Sequence, residues 1–179
     1  MHSPWLPTLL NIAAFVLAII VVMVVCRVNK LPMRETLALR LPTLPQTALW
    51  AGVFVALVIA QEILLSRLGL NEAPKWTYPL PVLLLRATGI IVFAPLSEEL
   101  LFRGLMFDRI AVRFNIPAAI VLTALVFAAV HVQYSAPERI FVFGDGLVFA
   151  LARARSHSLL LPMLLHCAGN AYAVFERVM

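Results

Sequence analysis

Charged and amide side chains interrupt three strongly apolar stretches in the second half of the sequence. An ionisable side chain at membrane depth costs roughly 2.5–3.5 kcal/mol on insertion scales, so we expect such residues to serve a function. Glutamate and histidine at this depth suit either acid–base catalysis or the transfer of protons across a membrane. The residues concerned are Glu98, Glu99, Arg103, His131, His166 and Asn170.

Helical spacing divides these residues into pairs. Glu99 and Arg103 lie four residues apart, so they share one face of a helix and can form an ion pair. Glu98 points about 100° away from Glu99 and remains free for another role. His166 and Asn170 are also four residues apart and share a face. The spacing therefore predicts a structural ion pair on one helix and a His–Asn pair on another.

The elements that must position these side chains are membrane helices. Of the 179 residues, 63% are hydrophobic and 13% are charged, whereas soluble domains have about 45–50% apolar and about 25% charged residues. Lipid must therefore contact much of the surface. The net charge of +5 does not indicate nucleic-acid binding, because the basic residues lie in short loops between apolar runs. We predict an all-α, multi-pass protein of the cell membrane with a bundle of about six transmembrane helices.

The predicted helices follow the apolar runs. The fifth run is short for a span of about 20 residues, and Gly144, Asp145 and Gly146 interrupt it, so we expect it to be tilted, broken or buried among its neighbours. The first run is longer than the core of a cleavable signal and is expected to be a transmembrane helix. The six segments are Thr8–Cys26, Thr47–Leu65, Leu80–Phe107, Pro117–Tyr134, Ile140–Ala152 and Leu159–Val174.

Lysine and arginine residues predict the orientation, since cytoplasmic loops carry an excess of them. Nine lie on one side: Arg27, Lys30, Arg34, Arg40, Arg103, Arg109, Arg113, Arg153 and Arg155. Four lie on the other: Arg67, Lys75, Arg139 and Arg177. The side with nine is predicted to be cytoplasmic, which places both termini outside.

Helix depth predicts that the polar groups share one slab of the bilayer. With Arg109, Pro117 and Ser158 as cytoplasmic boundaries, a rise of about 1.5 Å per residue gives each depth. The depths are about 16 Å for Glu98, 21 Å for His131, 12 Å for His166 and 18 Å for Asn170. Asp145 lies about 12 Å deep by the same count and is expected to support packing around the site. The site is thus expected within the bilayer, toward its cytoplasmic half.

Three motifs carry a family resemblance. Glu98-Glu99-x-x-x-Arg103, Phe127-x-x-x-His131 and His166-x-x-x-Asn170 resemble, in order and in separate apolar segments, the motifs of the CAAX protease and bacteriocin-processing (CPBP) family of intramembrane proteases. Pro95 and the ending Phe102-Arg103-Gly104 are also similar to the family's first motif. The resemblance covers about residues 80–175, within what we expect to be one membrane domain of residues 1–179.

The resemblance implies an intramembrane endopeptidase that cleaves a membrane-anchored or lipidated protein or peptide tail. Glu98 would be the general base that activates water, and His131 would help to hold that water. His166 and Asn170 would donate hydrogen bonds to the oxyanion. A cavity open toward the cytoplasm would suit such a tail. The supporting pair would be Glu99 and Arg103.

A metal is not favoured, although zinc is a possible cofactor. Glu98, His131 and His166 could form a zinc site of two histidines and one carboxylate. The three come from different helices, so the spacing does not preset their geometry. Asn170 is a poor zinc ligand and a good oxyanion donor, so water-based hydrolysis accounts for all four residues without a metal.

Three other functions fit parts of the pattern. A membrane immunity or partner-binding protein on the same scaffold would need no turnover, but it would not require all four polar residues. A proton-coupled transporter would also use glutamate and histidine, but no inverted repeat is evident. A serine protease is disfavoured because Ser97 lacks a Gly-x-Ser-x-Gly context.

Overall fold

The computed structural model describes residues 4–69 and 74–179. Within these ranges the chain is all-α, as predicted, and each of the six predicted segments falls on a helix. A short helix, α2, was not predicted. The helices are α1 (Trp5–Val28), α2 (Met33–Thr36), α3 (Leu44–Leu68), α4 (Leu80–Arg113), α5 (Ile116–Val130), α6 (Ala136–Ser156) and α7 (Leu160–Val178).

Three helices are long and apolar enough to cross a membrane, namely α1, α3 and α4. α1 and α3 carry apolar side chains on all of their faces, which is typical of helices in lipid. On α1, for example, Leu10 and Leu17 are 60% and 61% exposed. α5 is apolar but has only 15 residues. The protein is therefore a multi-pass membrane protein, and the finer count of about six spans stays a prediction.

Local sequence signals explain where several helices begin. Thr43 and Gln46 form a reciprocal capping box at the start of α3, and Ser135 and Glu138 form another at the start of α6. Asn115 accepts a hydrogen bond from the amide of Ala118 at the start of α5. These caps satisfy amides that have no partner within their own helix.

For the fifth segment, α6 excludes a broken helix and confirms burial among its neighbours, because Phe149, Ala150 and Ala152 are buried. The helix is continuous for 21 residues, from Ala136 to Ser156, and Gly144–Gly146 does not break it. The predicted segment, Ile140–Ala152, was shorter than the helix because it followed apolar residues only, whereas α6 has charged residues near both ends. Gly146 lets α6 approach α5, because a Cβ atom there would lie 3.1 Å from Cα of Ala124.

α5 is shorter than predicted. The predicted segment ran from Pro117 to Tyr134, but the helix ends at Val130. His131 has left the helical conformation, with φ −80° and ψ 54°. The catalytic candidate on this segment therefore stands at the end of a helix and not within it.

α4 contains two π-helical segments, Gly89–Phe93 and Leu100–Met106. They flank the ordinary helical turn Ala94–Glu99, which carries both adjacent glutamates. In a π-helical turn the amide bonds to the carbonyl five residues earlier, and single π turns recur at functional sites. The distortion changes which faces of α4 present Glu98 and Glu99 to the neighbouring helices.

The bundle has two distinct ends. At the first, here called the Ser158 end, the amide of Leu159 bonds to the carbonyl of Ala38, which lies in the α2–α3 connection. At the second, here called the Val178 end, the amide of Trp76 bonds to the carbonyl of Arg177 at 2.8 Å. The chain therefore runs back and forth between the two ends.

Arg103 corrects the count of loop cations. Its side chain is fully buried in the middle of α4, so it does not belong with the basic residues of a loop. Eight of the nine basic residues on this side remain at the Ser158 end. The Val178 end has five, because the guanidinium of Arg86 lies 4.8 Å from the ring of Trp76 there, in addition to the four named above. The remaining basic residues still predict that the Ser158 end is cytoplasmic, because more of them lie there.

Candidate active site

Glu98 lies between two histidine rings that come from other parts of the chain. Its Oε2 is 3.9 Å from Nε2 of His131 and 3.7 Å from Nε2 of His166. Glu98 is on α4, His131 directly follows α5, and His166 is on α7. The three side chains are 21%, 13% and 8% exposed, respectively. Packing of three helices thus brings together one carboxylate and two imidazoles in a poorly hydrated place.

Glu99 forms an ion pair with Arg103 and also accepts a hydrogen bond from His166. Its Oε1 accepts hydrogen bonds from Nη1 of Arg103 at 2.8 Å and from Nδ1 of His166 at 3.0 Å. Arg103 also donates from Nη2 to the carbonyl of Gly146 on α6, at 3.0 Å. Glu99 and Arg103 are both fully buried. The pair therefore joins α4 to α6 and α7 and orients the His166 ring.

Hydrogen bonds at Nδ1 determine which ring nitrogen of each histidine faces Glu98. His131 Nδ1 lies 2.6 Å from the carbonyl oxygen of Phe127, and a carbonyl only accepts, so Nδ1 carries a proton. His166 likewise donates from Nδ1 to the carboxylate of Glu99. In their neutral forms both rings therefore present an unprotonated Nε2 toward Glu98.

Asn170 lies one turn beyond His166 and bonds to the backbone of α4. Its Nδ2 donates to the carbonyl of Ile90 at 2.7 Å. In this π-helical turn the amide of Ala94 bonds to the carbonyl of Gly89, so the next carbonyl, that of Ile90, would pair with residue 95. That residue is Pro95, which has no N–H to donate. One amide hydrogen of Asn170 thus satisfies a carbonyl that proline leaves open.

Aromatic rings pack around the buried charges. The His166 ring stacks on Phe149 with centroids 4.9 Å apart, and Phe127 lies edge-on to it at 5.6 Å. The guanidinium of Arg103 sits 4.5 Å from the centroid of Phe127. These contacts exclude water and add cation–π attraction to the charge pair. The ring of His166 is therefore held in place by packing as well as by its hydrogen bond to Glu99.

A cavity of about 180 Å³ adjoins the site. His131, His166 and Asn170 contribute to its wall. Asp145 also lines it and accepts a hydrogen bond from Nε2 of Gln61 on α3 at 3.0 Å. Asp145 thus joins α6 to α3 beside the site and does not contact Glu98.

The donor atoms do not form a closed metal site. Two ligands of a tetrahedral zinc ion lie about 3.4 Å apart when each is about 2.1 Å from the metal. The separations of 3.7 and 3.9 Å at Glu98 are wider than this. Among the residues that the structure describes, no group of three or more histidine, cysteine, aspartate or glutamate side chains is arranged to hold a metal ion.

Comparison with known protein families gives a match that covers the candidate site. Residues 79–172 match the family of type II CAAX prenyl endopeptidases described as Rce1-like. The chain belongs to this family. The resemblance to CAAX proteases inferred from the motifs is therefore confirmed, and the matched region contains every candidate site residue from Glu98 to Asn170.

The chain is also similar to a curated protein over part of its length. A curated Escherichia coli protein, described as an uncharacterized 24.3 kDa protein, is 34% identical over 123 residues. The match covers 65% of this chain and 54% of the relative, so the chain spans about half of the relative's length. No solved structure matches the chain significantly.

Three contacts of this candidate site were missed by sequence reasoning. They are the bond from His166 to Glu99, the bond from Asn170 to Ile90 and the bond from Gln61 to Asp145. Only the second had a signal in the sequence, because Pro95 leaves a carbonyl of α4 without its helical donor. The other two join helices that are remote in sequence.

Proposed function

We propose that the protein is an intramembrane endopeptidase that cleaves a membrane-anchored or lipidated protein or peptide tail. Membership of the CAAX protease family supports proteolysis as the reaction class. The approach of Glu98 Oε2 to the Nε2 atoms of His131 and His166, among apolar helices, supports these residues as its centre. The buried Oε2 has no hydrogen-bond partner among the described residues, so it is ready to accept one from water.

In the proposed mechanism a water molecule donates one hydrogen bond to Glu98 and the other to Nε2 of His131. Its oxygen lone pair then points away from both groups and toward the substrate carbonyl. As the oxygen–carbon bond forms, the water proton passes to Glu98. Glu98 next gives that proton to the amide nitrogen and the carbon–nitrogen bond breaks. The products are an amine and a carboxylic acid that still carries the second water proton, which then passes to the amine to give a carboxylate and an ammonium group.

His166 and Asn170 are proposed to stabilise the oxyanion. Since His166 already donates from Nδ1 to Glu99, it must carry both ring protons to donate from Nε2 as well. A protonated His166 would balance the charges of Glu98, Glu99 and Arg103 to a net of zero, which favours burial. Asn170 retains a second amide hydrogen after binding Ile90, and the first bond orients it.

Substitution of Glu98 by glutamine tests this proposal. Glu98→Gln keeps the size of the side chain but cannot accept the water proton, so cleavage of a membrane-anchored reporter should fall by about 10²–10⁴-fold. The purified variant should unfold at the same temperature as the wild type. Glu35→Gln, an exposed carboxylate on α2, serves as the matched control and should cleave normally.

Two results would contradict the proposed role. Wild-type turnover by purified Glu98→Gln would remove Glu98 from the mechanism. Full biological function of Glu98→Gln without any cleavage would instead favour the partner-binding alternative, because a binding surface does not require a general base.

A further inference from the structure

A second cavity, of about 790 Å³, lies at the Ser158 end, between the α1–α2 connection and the last turns of α4. It shares no residue with the cavity beside His166, so a molecule bound in it would not touch the candidate catalytic residues. We call it the basic groove. The residues of its wall that bear on a ligand are Leu31, Leu105, Asp108, Arg109, Val112 and Arg113.

One side of the basic groove is apolar. Leu31 and Leu105 line it and also pack in the core between α1, α4 and α7. Val112 lies seven residues beyond Leu105, so the two share a face of α4. Val112 is 89% exposed, which in a membrane protein leaves its side chain in contact with lipid. This side of the groove therefore suits an acyl chain.

The other side of the basic groove carries two arginines. Arg109 and Arg113 lie four residues apart on one face of α4, and both are exposed. Among the described residues neither forms an ion pair with a carboxylate, and Arg109 donates from Nη1 to the carbonyl of Leu105 in its own helix. Asp108 is bound by Arg153, with Oδ2 3.0 Å from Nη2. The groove thus holds two cations whose charges no neighbouring carboxylate balances.

The charge around the basic groove is strongly positive. Within the described part of the chain, the Ser158 end carries eight lysine and arginine residues and two carboxylates, Glu35 and Asp108, which gives a net charge of +6. Basic pockets beside membrane helices bind the headgroups of anionic lipids. Because α4 ends at Arg113, the arginines of the groove lie near the level of the headgroups. The position and the charge therefore both favour an anionic headgroup.

We propose that the basic groove is a binding site for an anionic phospholipid. The guanidinium groups of Arg109 and Arg113 donate charge-assisted hydrogen bonds to the phosphate. One acyl chain lies against Leu31, Leu105 and Val112. The bound lipid contacts both the α1–α2 connection and the end of α4, and it stabilises their packing. A zwitterionic lipid binds less tightly, because its headgroup carries a positive charge beside the phosphate.

Lipid titration of the purified protein in detergent, followed by native mass spectrometry, tests the site without any need for turnover. The wild type should bind phosphatidylglycerol more tightly than phosphatidylcholine with the same acyl chains. Arg109→Gln combined with Arg113→Gln should raise the dissociation constant for phosphatidylglycerol by about 30-fold. Arg27→Gln combined with Arg34→Gln is the matched control, because it removes the same charge from exposed positions outside the groove. Equal affinities for the two lipids, or equal losses in the two double variants, would overturn the proposal.

Two further measurements separate a lipid from a free phosphate. Val112→Trp fills the apolar side of the groove without changing its charge, so it should also weaken the binding of phosphatidylglycerol. Glycerol 3-phosphate has the phosphate without the acyl chains and should not displace the lipid at equal concentration. Unchanged affinity in Val112→Trp, or displacement by glycerol 3-phosphate, would overturn the assignment to a lipid. In lipid-free detergent these exposed substitutions should leave the unfolding temperature unchanged.

Discussion

Adjacent glutamates on α4 have different surroundings, although they are identical in chemistry. Oε1 of Glu99 accepts hydrogen bonds from both Arg103 and His166, so that carboxylate is committed to structure. Oε2 of each glutamate is buried without a hydrogen-bond partner among the described residues, but that of Glu98 lies 3.9 and 3.7 Å from the Nε2 atoms of His131 and His166. A buried acceptor without a hydrogen bond costs about 1–3 kcal/mol, which a bound water would recover. The difference supports Glu98 as the reacting group and Glu99 as its support.

The residues around Glu98 also bear on metal dependence. We predict that active purified protein contains less than stoichiometric zinc and that chelation leaves its activity unchanged, because a water held by Glu98 and His131 is sufficient for the proposed reaction. Elemental analysis combined with an assay before and after chelation measures both properties. One zinc ion per chain, with activity lost on chelation and restored by zinc, would recast Glu98, His131 and His166 as ligands.

At the scale of the helices, Arg103 holds α4 against α6 and α7. Arg103→Ala should lower the free energy of unfolding by about 3–5 kcal/mol, because it leaves the carboxylate of Glu99 buried without its cation. Activity should fall together with stability. Thermal unfolding in detergent measures the effect, and Arg113→Ala, at the exposed end of the same helix, is the matched control. Normal stability with selective loss of activity would make Arg103 a substrate contact instead.

The contact between α5 and α6 depends on a glycine. A methyl group at Gly146 would lie 3.1 Å from Cα and 3.2 Å from Cβ of Ala124, and backbone atoms of a helix do not move aside easily. Gly146→Ala should therefore lower the unfolding temperature despite the better helix propensity of alanine. Gly52→Ala has open space around its new methyl group and should not destabilise. Equal stability of the two variants would show that α5 and α6 can separate without cost.

At the scale of the whole molecule, the arrangement of charges at the two ends predicts an orientation. A reporter fused after Met179 should be active outside the cytoplasm, because α7 runs from the more basic Ser158 end to the Val178 end. Paired reporters that are active on opposite sides of the membrane provide the measurement. A cytoplasmic signal at this position would reverse the predicted orientation.

Local spacing determined much of this protein before its structure was considered. The composition required a membrane protein, and the Glu99–Arg103 pair followed from a separation of four residues on one helix. The three motifs were sufficient to indicate the CAAX protease family, because each occupies consecutive turns of a single segment. Helix propensity and side-chain spacing act within about four residues, so the sequence displays their consequences directly.

Only the tertiary structure determined the contacts between helices that are distant in the sequence. The sequence counted Arg103 with the loop cations although its spacing paired it with Glu99 on a helix, ended α5 too late and left three alternatives open for α6. Charged residues resemble helix boundaries when their partners on other helices are not known. In the folded protein Arg103 has Glu99 and Gly146 as partners, and α6 accommodates Gly146 against Ala124. Which nitrogen of His166 faces Glu98 depends on how α4 and α7 pack. No local pattern encodes that arrangement, because the atoms involved are separated by tens of residues in the chain.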